Sequence, residues 1–191
     1  MTKGRVEAFS DGVIAILITI MVLELKVPAN PSWTALREAA PTFLFYVLSY
    51  VFLGIYWSNH HHLFHTVHHV NGAVLWANLH LLFWLSLVPF TTKWMGEHYH
   101  SAFPTAVYGV VLLAAGLAYL ILTKVIIRLE GPDSTLRRAI GRDVKGNASA
   151  ALYVIAVPLA FVRPWIADAI YVFVALIWLA PDPRIESTLR G

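Results

Sequence analysis

The feature that most constrains this chain is a short charge-free run at its start. In RVEAFSDGVIAILITIMVLELKV, residues 5–27, only the 12 residues 12–23 separate Asp11 from Glu24. At 1.5 Å per residue such a run makes about 18 Å of helix, well short of the roughly 30 Å hydrocarbon core of a bilayer. A helix that spans here must hold Asp11, and Glu24 with it, at or inside the membrane boundary. Ionisable groups at that depth cost roughly 2.5–3.5 kcal/mol each on insertion scales, so they should face protein or a water-filled path. The segment reads as a pore-lining or polar-network helix. Cleavage as a signal peptide is not expected, because Glu7, Asp11 and Glu24 interrupt the run and no small-x-small site precedes Pro28.

Composition puts the remainder in the same solvent. Hydrophobic residues are 58% of 191 and charged residues 13%, with mean hydropathy +0.65, against roughly 25% charge in a soluble domain. The chain is therefore read as an all-α integral membrane protein. A net charge of +3 does not point to nucleic acid, because the basic residues sit in short loops between apolar runs, where they set topology. The absence of cysteine excludes disulfides, thiolate metal sites and cysteine catalysis.

Six spans are expected, at about residues 6–27, 36–58, 70–90, 102–127, 148–162 and 165–180, forming a single domain over residues 1–191. Pro28 and the polar turn after it close the first. Pro41 is placed in the opening turns of the second, where a missing N–H is best tolerated. Gly109, Ala114, Ala115, Gly116 and Ala118 give the fourth a small-residue surface for close helix contact. The last two spans, joined at Arg163 and Pro164, read as a helical hairpin.

Lysine and arginine decide the orientation. With the N-terminus cytoplasmic, that side carries Lys3, Arg5, Lys124, Arg128, Arg137, Arg138, Arg142, Lys145, Arg184 and Arg190, and the other only Lys26, Arg37, Lys93 and Arg163. Ten against four places both termini inside. Trp33, Trp57, Trp94 and Trp165 fall near span ends, as interfacial anchors do.

Within the first helix Ile16, Ile20, Leu23 and Val27 recur at intervals of 4, 3 and 4, one helical face, with Thr19 beside it. Such a stripe is ordinary helix packing on periodicity alone. With Ser10 and Asp11 at the mouth of the same helix it also suits a pore, in which aliphatic rings make a narrow, dewetting-prone neck. One helix cannot enclose a path. Several copies about a symmetry axis can, and closed cyclic assemblies are the common solution.

RVEAFSDGVIAI closely resembles the R-x-x-x-F-S-D signature opening the first helix of the transmembrane protein 175 family, the endosomal and lysosomal potassium channels and their bacterial homologues. Arg5, Phe9, Ser10 and Asp11 carry the match, and YWSNHHHLF (56–64) and NLHLLFWLSLVPFTT (78–92) extend it. The resemblance implies a potassium-permeable cation channel, needing no cofactor beyond the permeant K⁺, in a multi-pass cell membrane setting with lipid around it. A single six-helix unit is similar to the bacterial members, which implies a homotetramer with the first helix lining a central pore. It further implies that Ile16, five residues after the motif aspartate, narrows the pore first, with Ile20 and Leu23 deeper and Thr19 at the position associated with selectivity. The family's Arg, Ser and Asp are held to tie helices together, which gives Arg5 and Asp11 a structural role in preference to ion binding, and Trp57, Asn78 and His80 are the candidates to bond them.

Thr105-Ala-Val-Tyr-Gly-Val echoes the TVGYG carbonyl filter but lacks its order and any re-entrant helix before it, so potassium preference is expected to be modest and to come from the neck and Thr19. His60, His61, His62, His65, His68 and His69 are placed in the cytoplasmic turn between the second and third helices. There they suit a solvated or network role, pH sensing, or metal binding through the i, i+4 pairs His61/His65 and His65/His69. The rival to a channel is a zinc or other metal transporter loaded at this turn, although Asp168 is the only metal-suited side chain expected in the last three spans. No hydrolase, zincin, nucleotide or dinucleotide motif is present, so an enzyme is not expected.

Overall fold

The computed structural model describes residues 2–131, 134, 136, 137 and 143–179. Arg138, Arg142, Arg184, Arg190 and Ala180, used above in the orientation and the sixth span, lie outside the described residues. The described chain is helical, in the order α1 (Lys3–Leu23), α2 (Trp33–His65), α3 (Gly72–Ser86), α4 (Val88–Glu97), α5 (Ala102–Glu130), α6 (Val144–Val162) and α7 (Pro164–Leu179). With α3 and α4 in series, five helical units are long and apolar enough to cross a bilayer, and α7 is a shorter apolar helix.

Local chemistry sets the ends. Ser32 Oγ accepts from the Ala35 N–H at 3.2 Å, so α2 begins at Trp33, three residues before the expected start, and Pro41 falls inside the helix instead of in its opening turns. At its other end α2 runs to His65, past residue 58, because Leu63 and Phe64 are buried and continue its apolar face. The third span divides at Leu87, two residues before Pro89, whose ring nitrogen has no proton for the carbonyl one turn back. Asn71 caps α3 and Asp143 caps α6, accepting from Val74 and Gly146. Gly131, at φ +95°, ends α5 in a conformation that favours glycine.

Side chains form two cores. The first gathers Val6, Ile14, Leu17 and Met21 of α1 with Leu53, Leu63, Leu81, Leu85 and Leu122. The second joins Phe52, Met95, Tyr108 and Leu112 to Tyr153, Ala160, Ala167 and Tyr171 of the α6–α7 hairpin. Gly109 lets α5 and α7 close: a Cβ there would overlap the Tyr171 hydroxyl and come within 3.1 Å of Val157. That hydroxyl donates to the Thr105 carbonyl at 3.0 Å. Helix α1 packs against α2, α3 and α4, on the edge away from the hairpin.

Polar contacts align the two ends of the bundle. At one end Lys3 Nζ donates to the His65 carbonyl, and the His68 backbone N–H and ring Nδ1 each meet one oxygen of Glu130 at 2.8 Å. The start of α1, the end of α2 and the end of α5 are therefore level. At the other end Lys26 pairs with Glu97 at 2.6 Å, and Lys93 pairs with Glu24.

Candidate pore-lining site

Helix α1 has two unlike faces. Val6, Ser10, Ile14, Leu17 and Met21 are buried against the rest of the chain. On the other side Ile16, Ile20 and Leu23 are 57%, 40% and 81% exposed, and Thr19 is exposed with them. The aliphatic stripe is thus not used to pack the protomer. Thr19 Oγ1 donates to the Ile16 carbonyl at 2.8 Å, so its proton is turned along the helix and the oxygen's acceptor side is left for whatever faces the stripe.

Behind this face a polar clamp fixes the inner half of α1. Ser10 Oγ donates to the Val6 carbonyl at 2.9 Å and accepts from Asn78 Nδ2 at 2.9 Å. Asn78 Oδ1, an acceptor only, receives the His60 Nε2 proton at 2.8 Å, which fixes the imidazole tautomer. His60 is 1% exposed and its ring stacks on Phe64 with centroids 4.5 Å apart. Beside the clamp, Trp57 Nε1 donates to Asp11 Oδ1 at 3.0 Å. Each of these polar side chains finds a partner on another helix or on its own backbone, as the membrane interior demands.

The structure therefore brings Ser10, Asp11, Trp57 and Asn78 together and leaves out three other residues of the expected network. Phe9 is 51% exposed. His80 is exposed and accepts from Trp84 Nε1, one turn along its own helix, at 3.0 Å. The Arg5 side chain is exposed and makes no hydrogen bond or ion pair among the described residues. His60, placed above in the turn with a solvated or network role, lies instead within α2 as a buried member of the clamp. Its signal was present in sequence, since Leu53, Tyr56, His60 and Phe64 recur at intervals of 3 or 4, but the neighbouring histidines masked it.

The remaining histidines also depart from a turn-borne cluster. His60, His61, His62 and His65 lie on the last turns of α2, which ends at His65, so the His65/His69 spacing is not a helical one. Among the described residues no three His, Asp or Glu side chains converge on a point where a metal would sit. The Thr105-Ala-Val-Tyr-Gly-Val stretch lies within α5, where carbonyls are committed to the helix ladder.

A bundle of apolar spans with an unpacked aliphatic and threonine face on its first helix, clamped from behind by buried polar groups, defines a multi-pass helical membrane channel. The family model described as endosomal/lysosomal potassium channel TMEM175 matches residues 5–89. The chain belongs to the TMEM175 family. A protein named a potassium channel from a Chryseobacterium strain is 55% identical over 190 residues, covering 100% of this chain and 99% of that one. The crystal structure of a lysosomal potassium-selective channel TMEM175 homolog from Chamaesiphon minutus superposes with a TM-score of 0.81 at 30% identity, over 93% of this chain and 96% of that chain. A Danio rerio protein named endosomal/lysosomal proton channel TMEM175 is 38% identical over 100 residues, 46% of this chain and 19% of that protein.

Proposed function

We propose that the chain is a potassium-permeable cation channel of the bacterial cell membrane, assembled as a homotetramer whose four α1 helices surround the ion path. All six spans over residues 1–191 then act as one channel domain, with both termini cytoplasmic. The observation that carries this reading is the division of α1. Ser10, Ile14, Leu17 and Met21 lock it into the protomer, while Ile16, Thr19, Ile20 and Leu23 are left exposed on the opposite side.

Repeated about an axis, Ile16, Ile20 and Leu23 make aliphatic rings that exclude water when narrow, and Thr19 supplies a ring of hydroxyl oxygens between them. Such a neck discriminates by the cost of dehydrating the ion, with no carbonyl cage to replace the hydration shell. The expected preference for potassium over sodium is accordingly modest, with protons as a second permeant to be measured alongside. Ser10, Asp11, Trp57, Asn78 and His60 hold the helix at its working distance from the axis. The Arg5 side chain, unpaired among the described residues, is placed to meet a second copy.

A zinc transporter loaded at the histidines is less well supported, since His60 is turned inward to Asn78 and His68 is held by Glu130. Reconstitution into liposomes with an imposed potassium gradient tests the proposal. Potassium flux, collapsing a gradient of tens of millivolts, is expected. Absence of flux together with ATP-independent zinc uptake would replace the channel with the transporter.

A further inference from the structure

The histidines at the end of α2 are sorted by the fold into different tasks, and one pair is left over. His60 is buried on Asn78, and the His68 ring is held by Glu130. His61 and His65, one turn apart, are both exposed, with ring centroids 6.3 Å apart and planes at 60°. His62 follows His61 by a single residue and so projects from a different side of the helix, although its ring edge approaches His61 at 5.7 Å between centroids.

We propose that His61 and His65 form a surface site for a divalent transition-metal ion of the zinc, copper and nickel class, at the end of α2 beside the proposed pore helix. Two imidazoles at i and i+4 on one helix face are suited to chelate one ion. The chemistry of the donor set selects the class: imidazole nitrogen suits zinc, copper and nickel, whereas magnesium and calcium require oxygens that this pair lacks. With metal–nitrogen bonds of about 2.1 Å, two angled imidazoles bring their centroids to roughly 5 Å. A small side-chain rotation of two exposed rings closes the chelate from its present spacing. Solvent fills the remaining coordination positions, as an exposed pair allows.

The site has defined neighbours. The Trp57 indole stacks on His61 with centroids 6.5 Å apart, and that indole donates to Asp11 on α1. Lys3 Nζ donates to the His65 carbonyl at 3.2 Å, a cation whose flexible stem lets it withdraw. The ion therefore sits two contacts from the carboxylate of the motif helix, on the same end of the bundle. This inference stands apart from ion conduction, since binding alone tests it.

The experiment is a calorimetric titration of the full chain, purified in detergent without a histidine tag, with zinc chloride at neutral pH. One ion per chain is expected in the micromolar range. His61→Gln and His65→Gln, both at exposed positions, are each expected to weaken it by roughly 10- to 100-fold, at least the scale that loss of a supporting partner brings. His62→Gln is expected to leave it unchanged. A second readout is quenching of indole emission by cupric ion, which should fall in Trp57→Phe because that ring lies against His61. Affinity equal to wild type in both His61→Gln and His65→Gln, or no binding below millimolar zinc, overturns the site.

Discussion

His60 Nε2 on α2 donates to Asn78 Oδ1 on α3 at 2.8 Å, and the same amide reaches Ser10 on α1 through Nδ2 at 2.9 Å. One side chain thus joins three helices inside the bundle.

That junction predicts the effect of removing it. Interhelical hydrogen bonds in membranes average only about 0.6 kcal/mol each. Asn78→Ala, however, strands the Nε2–H of His60 in a buried position, while Ser10 keeps its bond to the Val6 carbonyl, and an unpaired buried polar group costs about 1–3 kcal/mol. The larger figure governs, and a thermal or denaturant unfolding curve in detergent should show it. A curve superposable on wild type would mean the amide holds nothing.

Adjacent residues on α1 should separate function from fold. Ile16, exposed, is expected to tolerate Ile16→Ser with little change in unfolding temperature, while potassium flux or the potassium-to-sodium ratio changes. Leu17, 6% exposed, should lose about 2–5 kcal/mol of stability in Leu17→Ala, the usual cost of a core leucine. Unaltered flux in Ile16→Ser would remove it from the ion path.

Close approach of α5 to α7 gives a third expectation. A methyl group at Gly109 would overlap the Tyr171 hydroxyl and lie 2.8 Å from its ring carbon, so Gly109→Ala should destabilise by about 1–3 kcal/mol through overpacking. At Gly116 the nearest atom is an ordinary 3.7 Å away, and Gly116→Ala should be neutral or mildly stabilising, since alanine is favoured in a helix by about 1 kcal/mol. Comparing the two melting temperatures checks both.

Arg5→Ala is expected to loosen subunit assembly more than permeation, because the guanidinium has no partner within the described chain. Size-exclusion chromatography with light scattering reads the oligomer directly. An intact tetramer with altered selectivity would instead put Arg5 among the groups that act on ions.

Orientation is checked by the chain's lack of native cysteine, which makes single introduced thiols clean reporters. Asn30→Cys should react with an impermeant maleimide applied outside cells, and Ser134→Cys only after permeabilisation. The reverse pattern would turn the protein over.

Much of this architecture was legible in order along the chain. The charge-free run bounded by Asp11 and Glu24 marked α1 as unlike a lipid-facing span, Pro28 marked the turn that follows it, and R-x-x-x-F-S-D marked the family. These are local properties, fixed by hydropathy, capping and missing N–H groups, and the sequence states them directly. Which face of each helix meets another was not legible. In a bilayer the outward residues are as apolar as the buried ones, so the period that reveals a soluble helix's inner face is flattened. Neighbouring histidines therefore looked alike until tertiary packing turned His60 onto Asn78 and left His61 outside. Arg5, Phe9 and His80 likewise matched a pattern, but only the placement of α1 against α2, α3 and α4 decided which members of that pattern touch.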